Sequence, residues 1–181
     1  GEIALCILSA INIGKIRDVS DLKSLCDLSV RSLDELIDFQ GYPVGAAEIA
    51  TKARRSLGIG YIGLAHYLAK QGVKYGDPKA WELVHDLTEA FQYHLIESTV
   101  NLAKEKGACE YSSRTKYGQG ILPIDTYKKD VDELVPNNLK YDWDSLRALV
   151  KEHGVRNSTL SAQMPSESSS VVSNATNGIE P

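Results

Sequence analysis

Disulfide chemistry has little to work with in this chain. Three cysteines in 181 residues, Cys6, Cys26 and Cys109, are odd in number and widely spaced, and no Cys-x-Cys or Cys-x-x-Cys pair occurs. That pattern excludes a disulfide framework and a cysteine zinc site, and it fits a reducing, cytoplasmic compartment. No run of 18 or more apolar residues exists to cross a membrane, and residues 1–10 have neither a basic leader region nor a small-residue cleavage site. An excess of positive charge is also missing. Lys and Arg number 20 against 24 Asp and Glu, a net charge of -4, which disfavours a nucleic-acid partner held by phosphate neutralisation. The four histidines, His66, His85, His94 and His153, form no ligand pair with a nearby cysteine or carboxylate, so no metal is expected, and His85 and His94 are expected to be solvent-facing or half-buried on helices. No internal repeat or clear linker is visible. The chain opens Gly-Glu-Ile-Ala-Leu-Cys without an initiator Met and stops at Ile-Glu-Pro after a polar run, so it reads as an excerpt of a longer polypeptide.

What remains is ordinary soluble-protein composition, 43% hydrophobic and 24% charged, at a length suited to one domain. The apolar run at 2–8 predicts a buried strand carrying Cys6. Leu22, Leu25, Cys26, Leu28, Leu33, Leu36 and Ile37 recur mainly at three- and four-residue spacings, which predicts an amphipathic helix ending near Gly41 with Cys26 in its core stripe. A weakly helical stretch at 46–53, a strand near 57–59 and a helix ending at Gly72 follow. Asp77-Pro78 is a capping residue followed by proline at the first helical position, and its pattern runs to Lys106-Gly107. Residues 109–140 read as irregular, Asp142 caps a helix ending at His153-Gly154, and a strand centred on Leu160 enters a polar terminus. Strand and helix units in this order predict an α/β body.

Two places invite a chemical reading. Residues 157–177 hold seven serines, one acid and no Lys or Arg, which suits a polar tail, yet Leu160, Met164, Val171 and Val172 punctuate the segment. Pro165-Ser166-Glu167 resembles the start of a helix directly after a strand, where free N–H groups and short side chains admit an anion. By composition the polar turn leads and the anion site is the alternative. Because a Glu167 carboxylate would repel an anion, any contact there should use N–H groups and hydroxyls. Gly58, Gly60 and Gly63 spell Gly-x-Gly-x-x-Gly between a strand and a helix, but no acidic residue closes a following strand, so tight strand-helix packing is preferred over dinucleotide binding. Cys6 taken alone is a small apolar residue in an apolar run.

Four segments in order, Gly-Glu-Ile-Ala-Leu-Cys-Ile-Leu-Ser-Ala at 1–10, Arg-Arg-Ser-Leu-Gly-Ile-Gly at 54–60, Gly-Ile-Leu-Pro-Ile-Asp-Thr-Tyr-Lys-Lys at 120–129, and Arg-Asn-Ser-Thr-Leu-Ser-Ala from 156 through the Met-Pro-Ser-Glu-Ser-Ser turn to 181, closely resemble the catalytic (large) subunit of class Ia ribonucleotide reductase. The resemblance implies a helix-rich α/β fold, with residues 1–181 forming part of that family's ten-stranded α/β barrel. It implies reduction of ribonucleoside diphosphates at the 2′ carbon by radical chemistry. Cys6 matches one of the two redox cysteines that end as a disulfide, and Pro165, Ser166, Glu167, Ser168 and Ser169 match the substrate's diphosphate cradle.

The resemblance also implies what this chain does not hold. The radical-bearing cysteine, the second redox cysteine, the ATP and deoxynucleotide effector sites and the terminal cysteine pair that reloads electrons belong to other segments. The radical would come from a separate small subunit with a di-iron tyrosyl centre, and thioredoxin or glutaredoxin would supply electrons. The expected partners are therefore the remaining segments of the large subunit, the small subunit, the reductant and a nucleoside diphosphate, with no metal in this chain, no nucleic acid and no membrane. A chain of this extent should not turn over alone, whether it is an excised portion or the product of a split or intein-interrupted gene. The alternatives are a non-catalytic assembly fragment that folds only with the other segments, and a stand-alone phosphate-binding domain.

Overall fold

A computed structural model of the chain describes residues 1–136 and 138–181. Its framework is a pair of parallel strands, β1 (Ile7–Asn12) and β2 (Leu57–Ile62), in register Ile7 to Leu57 through Asn12 to Ile62. Two helices make the crossover that a parallel pair requires, α1 (Asp21–Phe39) and α2 (Gly45–Arg54). Beyond β2 come α3 (Leu64–Lys70), the 29-residue α4 (Pro78–Lys106), the short α5 (Pro123–Thr126), α6 (Trp143–His153) and α7 (Glu167–Val172). The chain re-enters the sheet between α6 and α7. A parallel bridge joins Ile59 to Ser161, with Ile59 N–H donating to Leu160 O at 2.8 Å and Ala162 N–H to Ile59 O at 3.1 Å, so β2 is flanked by β1 and by the Leu160 segment.

The helices form because their apolar residues recur on one side. On α1, Leu22, Cys26, Val30, Leu33 and Ile37 are buried, while Leu28 and Leu36, which belong to the same periodic pattern, are exposed. α4, about 44 Å long at 1.5 Å per residue, packs against α1 on one side and α6 on the other. Burial from two directions explains His94, which the sequence pattern placed at the surface or half-buried. It is 6% exposed, with Nδ1 2.9 Å from Glu97 Oε2. Asp142 caps α6 as expected, accepting Ser145 N–H at 3.0 Å.

The first strand differs from the expectation at 2–8. It begins at Ile7, so Cys6 precedes the ladder and is exposed. Pairing is limited by the partner: Arg55 caps α2 in the left-handed conformation, φ 50, and β2 cannot start before the chain has left that turn. An apolar run signals burial, whereas strand limits are set by what lies alongside.

Candidate functional site

Cys6 stands immediately before β1, whose Leu8, Ala10 and Asn12 share one face with their partners Gly58, Gly60 and Ile62 of β2. Leu8 is exposed on that face. The glycines are there for close approach. A side-chain carbon at Gly58 would lie 2.5 Å from Leu8 Cδ2, and one at Gly60 would lie 2.4 Å from Ala162 O and 2.9 Å from Met164 Sδ. The glycines of the Gly-x-Gly-x-x-Gly motif thus admit neighbouring segments of the sheet, rather than the helix against which tight packing was expected.

The face runs on from Gly60 through Met164 to the serine turn. Ser166 is the capping residue of α7 and half-buried, Pro165, Glu167, Ser168 and Ser169 are exposed, and Glu167 has a left-handed backbone, φ 32. The thiol and the turn are not in contact. The four residue steps from Cys6, just before β1, to Ala10, the partner of Gly60, cover about 13 Å of extended chain.

The donors of the turn are already divided. Asn177 Oδ1 accepts both Ser166 N–H (2.8 Å) and Glu167 N–H (2.9 Å). Ser166 O accepts Ser169 N–H (2.9 Å) and the Ser169 hydroxyl (2.8 Å). Among the described residues no acceptor engages Ser168 N–H or its hydroxyl. The terminal segment carrying Asn177 is itself tied down. Gly63 N–H donates to Thr176 O at 2.9 Å, and the Tyr75 hydroxyl donates to Ile179 O at 2.9 Å. Buried side-chain oxygens without a hydrogen-bond partner among the described residues include Ser166 Oγ and Thr176 Oγ1 in this terminal segment, Asn12 Oδ1 at the end of β1, and Ser9 Oγ on the other face of that strand. Buried groups of this kind ordinarily meet water or a ligand.

The other thiols lie elsewhere. Cys26 is in the α1 core, where burial pushes its thiol up to about 12, and burial likewise raises that of Cys109. Neither is a candidate nucleophile or reductant. No group of three or more His, Cys, Asp or Glu among the described residues is arranged to hold a metal ion, and no helix among them is long and apolar enough to cross a membrane.

Beneath the strands lies a polar cluster that sequence periodicity did not reveal. Asp34 Oδ1 accepts Arg55 Nε–H (2.7 Å) and the Asn157 amide (2.9 Å), and Asp34 Oδ2 accepts Arg156 Nε–H (3.1 Å). Asp38 takes both outer nitrogens of Arg55, at 3.0 and 2.8 Å, and the guanidinium holds its carboxyl below the usual range. Asn157 Oδ1 accepts the Thr99 hydroxyl at 2.9 Å, linking α4 to the start of the Leu160 segment. The cluster fixes where β2 and the Leu160 segment enter the sheet. The one signal in the sequence was the placing of Arg55 and Asn157 at the two strand entries.

Comparison with known proteins shows the family of the chain. The model of the ribonucleotide reductase barrel domain matches residues 1–181. The ribonucleoside-diphosphate reductase subunit alpha of Haemophilus influenzae is 61% identical over 181 residues, all of this chain and 24% of that protein. Subunit alpha of ribonucleoside-diphosphate reductase 1 of Escherichia coli is 56% identical over 145 residues, covering 80% of this chain and 19% of its own length. That of Enterobacteria phage T4 is 48% identical over 182 residues, 99% of this chain and 24% of its own. The chain spans about a quarter of the length of the most similar of these relatives.

Proposed function

The chain belongs to the ribonucleotide reductase barrel-domain family, and we propose that, within a large subunit, it supplies one redox thiol, Cys6, and the diphosphate cradle of Pro165, Ser166, Glu167, Ser168 and Ser169 for reduction of ribonucleoside diphosphates. The observation that supports this reading is the exposed Cys6 immediately before β1, whose Ala10 pairs with Gly60, which in turn lies against Met164 at the start of the serine turn. A nucleoside diphosphate laid along these residues has its phosphates at the turn and its sugar toward the thiol.

The chemistry needs two thiols. Reduction at the 2′ carbon replaces hydroxyl by hydrogen and releases water; two thiols provide the two electrons and two protons and close to one disulfide. Cys6 is one of them, and the second belongs to another segment of the subunit. The radical that opens the reaction comes from the small subunit's di-iron tyrosyl centre, thioredoxin or glutaredoxin returns the disulfide to thiols, and ATP and deoxynucleotide effectors bind outside residues 1–181. At the turn, Asn177 already holds two N–H groups, so Ser168 offers the free N–H and hydroxyl.

Calorimetric titration of the full-length subunit with a nucleoside diphosphate and with its parent nucleoside tests the cradle. One hydrogen bond to a charged acceptor is worth about 1.5–3 kcal/mol, so Ser168→Ala should weaken diphosphate binding by roughly one to two powers of ten. Ser168→Pro, which also deletes the N–H, should cost more. Ser169→Ala should cost less than Ser168→Ala, since the Ser169 hydroxyl donates to Ser166 O. Equal losses for nucleoside and diphosphate would remove the phosphate assignment.

A further inference from the structure

We propose that Thr51 is the positioning residue for the Cys6 thiol, its buried hydroxyl standing in for the strand partner that the chain lacks just before that cysteine. The proposal rests on the reading of Cys6 as a redox thiol. β2 cannot extend backward to pair with Leu5, because Arg55 turns left-handed there and its guanidinium is held by Asp34 and Asp38. The ladder begins only after Cys6, with Ile7 N–H donating to Ser56 O at 3.3 Å. Before Cys6, Leu5 N–H reaches into the last turns of α2 and donates to Thr51 Oγ1 at 3.1 Å.

Cys6 is therefore bracketed by two hydrogen bonds from main-chain N–H groups, one to the Ser56 carbonyl just before β2 and one to a side chain. Thr51 is 0% exposed, and its carbonyl accepts Arg55 N–H at 2.7 Å, so the hydroxyl is mounted on the turn that the Asp34 cluster anchors. The same turn holds the segment a second time, through the ion pair of Arg54 with Glu2, whose carboxylate also accepts the Tyr111 hydroxyl at 2.8 Å. Rigid mounting matters because disulfide closure accepts only a narrow range, about 4.4–6.8 Å between the two Cα atoms. An exposed residue at the head of a strand frays unless it is tied down.

The test uses the full-length subunit with its radical-generating small subunit and dithiothreitol as reductant. Thr51→Val keeps the shape and loses the acceptor; it should lower kcat by up to about tenfold, the effect of losing one part-buried hydrogen bond. KM for the diphosphate should stay the same, because the cradle is untouched. Thr51→Ser, which restores the hydroxyl, should restore kcat. If Thr51→Val lowers the melting temperature, Thr51→Ala, which loses the acceptor without adding a methyl, is read in its place. A wild-type kcat in the variant lacking the acceptor, no rescue by Ser, or a rise in KM that accounts for the loss would overturn the role of Thr51. Cys6→Ser separates the two levels: repeated turnover in that variant would defeat the reading of Cys6, whereas an inactive Cys6→Ser beside an unimpaired Thr51→Val would defeat Thr51 alone.

Discussion

Replacing Asp34 by alanine removes the acceptor on which both strand entries depend. Asp34 is 0% exposed and receives Arg55 Nε–H, the Asn157 amide and Arg156 Nε–H. After the change Arg55 keeps Asp38 and the carbonyl of residue 34 (2.8 Å), and the Asn157 amide keeps Arg55 O (3.1 Å), but Arg55 Nε–H has no partner and the guanidinium loses its buried counter-charge. Removing one member of a buried ion pair costs about 3–5 kcal/mol. Since Asp38 remains as a half-exposed counter-charge, the lower end, about 3 kcal/mol, applies; that is roughly a hundredfold shift in the local opening equilibrium. Hydrogen exchange of the full-length subunit reads this directly. Peptides covering 53–62 and 155–162 should lose about two powers of ten in protection, while α6, outside the cluster, should keep its own. A loss under tenfold, or an equal loss in α6, would refute the assignment of strand entry to this cluster.

Gly60→Ala should loosen the same sheet from the other side. The new carbon meets a backbone oxygen, Ala162 O, which cannot swing aside, so about 1–3 kcal/mol of overpacking should appear as faster exchange at Ile59 and Ala162. In acid, Asp38, Asp125 and Asp142, held below the usual carboxylate range by Arg55, Arg147 and Ser145 respectively, favour the fold above the ordinary carboxylate pKa. That contribution fades as the pH falls through their lowered native values, so a melt series from pH 6 to 2 should show Tm falling at the acid end; a flat profile would contradict it. The 181-residue chain by itself exposes Phe39 (87%), Ile49 (74%) and Val172 (87%), and it should bind a hydrophobic dye and release it when mixed with the other segments of the subunit. No dye binding would contradict that.

Local signals in the sequence marked the helices well. Pro78 and Gly107 bracket α4, although the Asp77 side chain accepts Lys74 N–H instead of capping the helix, and Asp142 caps α6 through Ser145 N–H. The Gly58 and Gly60 spacing pointed to close packing, but of strand against helix, whereas the close approach is to Leu8 and Ala162 alongside β2. The start of β1 was misjudged because an apolar run does not reveal where its partner strand begins, and His94 because burial from two sides leaves no polar face to count. Asp34, Thr51 and Asn177 were invisible for another reason. Asp34 meets Asn157 across 123 residues of sequence and Thr51 meets Leu5 across 46, and no periodicity records pairings of that length. Cys6 and the serine turn were singled out through family resemblance, since composition alone made one a core residue and the other a polar turn.

The central claim is that Cys6 gives electrons to the sugar, and the most direct measurement is turnover of Cys6→Ser in the full-length subunit with its small subunit. Serine nearly matches cysteine in shape but cannot close a disulfide. The account predicts diphosphate binding close to wild type and no repeated turnover with thioredoxin or dithiothreitol, while Cys26→Ser and Cys109→Ser, at buried thiols remote from the face, stay active. Sustained wild-type turnover by Cys6→Ser would contradict it.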